Sequence, residues 1–291
     1  MPELPKKLAR WLENGETLPH LRPVIAELLD LTKDPAATID MLMPAVSCDP
    51  ALAAYLLRHA NSSLLGLSGK VTTLQLATSL LGVEELKRMV LSCFLNSATE
   101  HIPLTRTLMR RGFWKHSVAC ANTSWALANV LTPSEKEECY ASGLLHDVGW
   151  LVLGACFPDE LEQLLSLPGE GLEIMGLEFR MLGARHTEAG AELCRRWRFP
   201  PMITEAVELH HASAQKCRYT TLVDVVSLAE AFANKMGYGF DVYEEKTDPF
   251  ATFAFRRLGK TVQAHRMPSQ EQLSEIAEAA IKDVSRTPAN V

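Results

Sequence analysis

Residues 141–157 read ASGLLHDVGWLVLGACF, and His146-Asp147 is the only pair in that run able to carry charge. A helix that is apolar on every side belongs inside a protein. A carboxylate buried there without a partner costs on the order of several kcal/mol. Asp147 therefore needs a metal ion, a protonated histidine or a set of backbone N–H donors. The choice among them separates a hydrolase from a chain that has kept only a hydrolase's shape.

Around this run nearly every strong pattern has helical period, and neither strand alternation nor a hairpin signal such as Asn-Gly or Asp-Gly is visible. The expected fold is all-α: an N-terminal helical bundle, residues 1–105, packed on a helical domain, residues 106–240. Glu100-His101-Ile102-Pro103 interrupts the patterning near that boundary. Asp49-Pro50 offers an N-cap followed by proline at the first helical position, opening a helix that runs to about Ala60. A short helix over 73–81 stops at Gly82, and another follows over 84–97. Trp114, Val118, Ala121, Trp125 and Ala128 form one apolar stripe; Phe113, His116, Cys120 and Leu127 form a second on the same helix. His186, Gly190, Leu193 and Trp197 share a face. Pro201 opens a helix carrying Ile203, Ala206, Val207 and His210, and Leu222 to Met236 line the next. Residues 241–291 read as an extension: a mostly polar stretch, then an amphipathic helix with a Ser269–Gln272 capping box.

Composition narrows the function. The net charge of −6 argues against a large nucleic-acid footprint. The basic clusters Arg106-Arg110-Arg111-Lys115 and Arg195-Arg196-Arg198 read as solvated helix faces. Seven cysteines with no CxxC spacing read as reduced, buried thiols. The N-terminus lacks the apolar core of a signal peptide, and no apolar stretch reaches the ~20 residues that span a bilayer. The expectation is a cytoplasmic chain with no membrane partner.

His116, His146, His186 and His210 fall on four separate helices, each in an apolar setting, with Asp147 beside the second. Histidine and carboxylate ligands suit first-row divalent metals, and paired metal sites of this kind hydrolyse phosphoesters through an activated water. Taken singly, each histidine reads more simply as a hydrogen-bonded core residue, and Asp147 could pair with His116 in a structural network. His211 is expected to face solvent.

The order of motifs resembles the HDOD family. The first half of the resemblance is carried by Leu18-Pro19-His20-Leu21-Arg22-Pro23, Asp49-Pro50-Ala51-Leu52, Leu56-Leu57-Arg58-His59-Ala60-Asn61-Ser62 and Val71-Thr72-Thr73-Leu74 through Gly82. The second half is carried by Gly143-Leu144-Leu145-His146-Asp147-Val148-Gly149, His186-Thr187-Glu188-Ala189-Gly190, Trp197-Arg198-Phe199-Pro200 and His210-His211. The resemblance implies a helical fold related to the HD phosphohydrolases and a bacterial signalling role, in modules generally regarded as regulatory. It also implies a ligand set of His116, His146, Asp147, His186 and His210, with Glu230 at the place of a final aspartate. The group held would be one or two divalent ions (iron, manganese or zinc), or none, since a regulatory module needs no metal.

Two departures separate the chain from the related HD-GYP phosphodiesterases, which cleave cyclic dinucleotides. Those enzymes carry lysine after the HD-x-Gly segment, where this chain has Trp150, and a final aspartate on the late helix, where this chain has Glu230, its extra methylene shifting the oxygen and Asp224 lying more than a turn away. The GYP signature is missing too, Gly237-Tyr238-Gly239 being only an echo of it. The favoured reading is a regulatory module without turnover that binds a protein partner or small ligand. The alternative is a metal-dependent phosphohydrolase acting on a nucleotide or cyclic dinucleotide. The N-terminal half is the expected partner surface, and self-association stays open.

Overall fold

The computed structural model describes residues 4–14, 71–99, 112–167, 174–197, 199–212, 217–239, 248–262, 267–282 and 284, with isolated positions at 36, 38, 39, 41 and 60. The motif runs at 18–23, 49–52 and 56–62 lie outside these residues apart from Ala60, as does the interruption at 100–103. The chain forms two compact units, Met1–Pro19 with Thr99–Val284 and His20–Ala98 with Ser285–Val291. Among the described residues all regular structure is helical, as the periodicity predicts.

In the smaller unit, α2 (Leu74–Thr99) starts where the Thr73 hydroxyl accepts the Leu76 N–H. Gly82 interrupts it at φ 80° and ψ 167°, the stop expected from sequence. Only glycine adopts that conformation without strain. Val71, Ala77 and Ala60 make its apolar cluster.

The larger unit begins with α1 (Lys6–Asn14) and continues through α3 (Phe113–Leu131), α4 (Lys136–Leu145), α5 (Val148–Cys156), α6 (Pro158–Ser166), α7 (Ile174–Leu182), α8 (His186–Arg196), α9 (Pro201–Leu209), α10 (Thr220–Lys235), α11 (Phe253–Thr261) and α12 (Gln270–Lys282). The more deeply buried stripe of α3 is Phe113, His116, Cys120 and Leu127. Its C-terminal half packs with α10, α11 and α12 around Leu127, Leu222, Val226, Phe232, Leu258 and Leu273. The helix read as an extension thus belongs to this core: α12 buries Leu273, Ala277 and Ile281 against α3 and α10. Its Ser269–Gln272 capping box forms in both directions.

The apolar run 141–157, expected as one helix, breaks at the His146-Asp147 doublet. Asp147 leaves helical geometry at φ −101°, ψ 10°, so α4 ends at Leu145 and α5 starts at Val148. Two glycines set the spacing on either side. A Cβ on Gly143 would lie 2.6 Å from Ser124 Oγ and 2.8 Å from the Cys120 carbonyl oxygen, so α4 rests directly on α3. A Cβ on Gly149 would lie 1.8 Å from the His186 carbonyl oxygen, so α5 touches the backbone at the start of α8. These approaches bring α3, the doublet and α8 together. Among the described residues no single helix is long and apolar enough to cross a membrane.

Candidate metal centre

The carboxylate of Asp147 is the middle of the site. Oδ2 lies 3.1 Å from His146 Nε2 and 3.4 Å from His116 Nε2. Oδ1 lies 3.4 Å from His186 Nε2 and 3.5 Å from His210 Nε2. All five residues are buried. Of the three partners open to Asp147, backbone donors drop out, because its side chain caps neither flanking helix.

Each imidazole is oriented from behind through Nδ1. That of His146 donates to the Gly143 carbonyl at 2.8 Å, and that of His210 to the Val207 carbonyl at 3.0 Å. His116 donates to the Tyr238 carbonyl at 3.0 Å. That carbonyl is delivered by a Schellman cap at the end of α10: Tyr238 N–H reaches the Ala233 carbonyl, Gly237 N–H the Asn234 carbonyl, and Gly237 takes φ 84°. The glycine-tyrosine echo in the sequence is therefore a helix terminus that holds a histidine. His186 Nδ1 meets Glu178 Oε1 at 2.8 Å, and the His186 backbone N–H donates to Oε2 of the same residue at 2.7 Å.

With Nδ1 acting as donor, Nε2 of a neutral imidazole carries the lone pair and points inward. The result is two close pairs, His116 Nε2 to His146 Nε2 at 3.2 Å and His186 Nε2 to His210 Nε2 at 3.4 Å. Facing lone pairs repel unless a cation or proton lies between them. Asp147 Oδ1 is buried and accepts no hydrogen bond. The donor set therefore fits a divalent ion: histidines fixed through their far nitrogen, a carboxylate with an oxygen to spare, and separations short enough for shared coordination.

Electrostatics favour the same sign of occupant. Burial alone would hold Asp147 protonated, but His146, His116 and His210 outweigh it and keep the carboxyl well below its usual range. Burial opposes the charged form of His146, yet the adjacent Asp147 raises it. Burial likewise opposes protonation of His186, and Glu178 overrides this, lifting it to about 9.

Glu230 is buried and groups with His146 and His210, all three donor atoms lying within 4.8 Å of one another. All six residues singled out in the sequence thus come together in space. Asp224, more than a turn earlier on α10, is instead tied to Arg257 at 2.6–3.0 Å. Trp150 stacks on His186, with ring centroids 5.0 Å apart and planes 12° from parallel.

Sequence reasoning missed two residues. His211 keeps a third of its side chain exposed, but its ring turns toward the cluster, with Nε2 3.5 Å from Glu230 Oε1 and its centroid 4.3 Å from that of His210. Glu178 is fully buried, whereas its neighbour Phe179 is exposed. The available signal was a lone acidic residue in the apolar segment Ile174–Leu182, ahead of a histidine that needed a partner.

A helical core gathering histidines around an HD doublet defines a chain of the HD-like class. The HDOD family profile matches residues 18–213, and the chain belongs to that family. It is similar to the crystal structure of an HDOD domain protein of unknown function from Geobacter sulfurreducens, with a TM-score of 0.73, 20% identity, and 98% of this chain and 92% of that chain covered. A candidate signal transduction protein from Marinobacter aquaeolei VT8 superposes at a TM-score of 0.70 with 21% identity, covering 98% of this chain and 60% of that one. In sequence the chain is 24% identical over 212 residues to an uncharacterized protein of Treponema pallidum (strain Nichols), matching 71% of this chain but only 40% of that longer protein.

Proposed function

We propose that this protein is a regulatory HDOD module that holds a divalent metal at Asp147 and its histidines and acts by binding a protein partner, without turning over a phosphoester. The observation that carries the metal is the two opposed Nε2 pairs, one on each oxygen of the buried Asp147 carboxylate, of which Oδ1 has no hydrogen-bond partner. His116, His146 and Asp147 Oδ2 would hold one side, and His186, His210, His211 and Asp147 Oδ1 the other, with Glu230 near both. An ion bound there would polarise a coordinated water or phosphoryl oxygen.

Trp150 supports the regulatory half of the reading. It lies flat on His186 at the position where the resemblance places the lysine of the HD-GYP phosphodiesterases. An indole supplies no cation to a developing phosphate charge. Asp147 and the four histidines are held inside the helical core. The phosphohydrolase reading is favoured by one feature, the exposed edge of His211 beside Glu230, which gives the cluster an open side.

The test is metal content of protein purified without chelator, compared with Asp147→Asn, together with assays on bis(p-nitrophenyl) phosphate and on cyclic dinucleotides. One or two equivalents of iron, manganese or zinc, lost in the variant, with no turnover, is the expected result. Turnover that disappears in His146→Ala refutes the regulatory half; a metal-free wild type that takes up none on reconstitution refutes the metal.

A further inference from the structure

One histidine of the centre is held differently from the rest. His116, His146 and His210 each turn Nδ1 to a neutral backbone carbonyl, whereas His186 turns it to the carboxylate of Glu178. Glu178 stands on α7, is fully buried, and reaches the first residue of α8. Its Oε1 and Oε2 lie 2.8 and 3.0 Å from His186 Nδ1, and Oε2 also accepts the His186 backbone N–H at 2.7 Å. One carboxylate thus fixes both the backbone and the ring of a single residue. Trp150 packs on the face of the same ring, its plane 12° from parallel.

That grip needs an ionised acid. The ring Nδ1–H and the backbone N–H are both donors, so their shared partner must be one that only accepts. A glutamine in the same place would turn its NH2 group toward one of them. Out of water the carboxylate charge is little screened, and behind a metal-ligating imidazole a carboxylate orients the ring and raises the basicity of its far nitrogen. On the same side, His186, His210, His211 and Asp147 bring donor atoms within 4.8 Å of one another. The opposite side offers His116, His146 and Asp147 Oδ2, with neutral carbonyls behind both rings.

Resting on the metal-binding reading above, we infer that Glu178 is a positioning residue that makes the His186 side of the centre the first to take up a divalent ion. Glu178 touches no ion itself and acts through His186. The ring is held with Nε2 inward before an ion arrives, so this side loses less freedom on binding. The buried charge behind the ring also attracts a dication, which a neutral carbonyl does far more weakly. The two sides therefore fill in sequence. The half-loaded state joins α8 and the end of α9 to Asp147 before His116 on α3 is engaged.

The competing account makes Glu178 a cap for the start of α8 and nothing more. Full-length protein, isotope-labelled at histidine nitrogen and stripped of metal, is titrated with zinc chloride while the ring-nitrogen signals are followed by NMR. The expected result is that the first equivalent moves the Nε2 signals of His186 and His210, and the second those of His116 and His146. In Glu178→Gln the first step should weaken by the ~10–100-fold typical of losing an outer partner, while the second keeps its affinity and the order is lost. Should that variant fail to fold, Glu178→Asp takes its place with the same expected weakening, since it keeps the charge but is a methylene too short to hold both donors. A wild type in which the His116 side fills first, or in which one equivalent moves all four rings together, overturns the inference and leaves the metal centre standing. So does a variant that melts lower yet keeps the wild-type order and affinity, which is what plain capping gives. A wild type whose histidine signals ignore excess zinc overturns both.

Discussion

The approach of α5 to α8 makes Gly149→Ala the sharpest test of how the centre is assembled. The new Cβ would sit 1.8 Å from the His186 carbonyl oxygen, 2.6 Å from its carbonyl carbon and 2.8 Å from Gly190 N. Carbon–oxygen contacts settle near 3.3–3.6 Å, so the helices must part by about 1.5 Å. All three neighbours are backbone, and no side-chain rotation relieves the clash. A gap of even 0.5–1 Å forfeits roughly a quarter to a half of the dispersion energy along such an interface. Overpacking of a buried contact adds ~1–3 kcal/mol, and a rigid neighbour puts the site at the upper end. The expected loss is ~3 kcal/mol or more, a fall in melting midpoint of ~6–12 °C for a body of this size. Because His186 moves with α8, its Nε2 should also leave Asp147 Oδ1, now 3.4 Å away, and metal content should drop. Gly190→Ala should cost less, since its contacts, the Val207 Cγ1 methyl at 2.8 Å and the Gly149 backbone N and Cα at 3.0 and 3.3 Å, are all far longer than 1.8 Å. Gly259→Ala meets nothing within 4 Å and should stabilise by up to ~1 kcal/mol. Thermal melts of the three variants and elemental analysis check the set. A Gly149→Ala protein within ~0.5 kcal/mol of wild type, with its metal retained, would refute the reasoning.

Two further outcomes follow from buried charges. His186, raised from 6.5 to about 9, stabilises the metal-free fold fully below its unfolded value and loses that stabilisation as pH rises through about 9, a swing of about 3 kcal/mol. Melting of metal-free protein should therefore decline between pH 6.5 and 9, and the decline should flatten in Glu178→Gln; an unchanged profile in that variant would count against Glu178 as the cause. Arg257→Leu strands the buried Asp224 and should cost ~3–5 kcal/mol, while the double change with Asp224→Leu should recover most of it, as a double-mutant cycle in urea would show; a double variant as unstable as the single one would refute the pairing argument.

The helices of the larger unit were legible because their apolar stripes run at helical period, and the doublet announced itself as the one charged pair in an apolar run. Three things were hidden, each for a physical reason. The break at Asp147 depends on one residue's dihedral angles inside a sequence that reads as continuous helix. The support of His116 by Tyr238 comes from a backbone carbonyl, a group every residue carries, so no side chain marks it. The inclusion of α12 in the core required knowing that its Leu273 face meets α3 and α10, contacts distant in sequence.

The four Nδ1 bonds carry a consequence that the ligand set alone does not. They come from the Gly143 carbonyl, the Val207 carbonyl, the Tyr238 carbonyl and the Glu178 carboxylate, on or beside four different helices. Each fixes a tautomer and aims a lone pair inward, so the folded body creates a demand for positive charge at Asp147. In the metal-free protein protons meet part of that demand: burial acts against the charged form of both rings, but Asp147 raises His146, and Glu178, with Asp147 as the lesser contributor, raises His186. A divalent ion bound as proposed would displace those protons, so its affinity should rise with pH over the range in which the metal-free fold weakens. On the metal-binding proposal, metal loading and folding of the larger unit would form one coupled equilibrium, in which the ion replaces proton-mediated stability as the solution becomes alkaline. Under that proposal the module would change stability when its metal supply changes, and thermal melts of metal-free and metal-loaded protein across pH 6–9 check it: equal melting at every pH refutes the coupling.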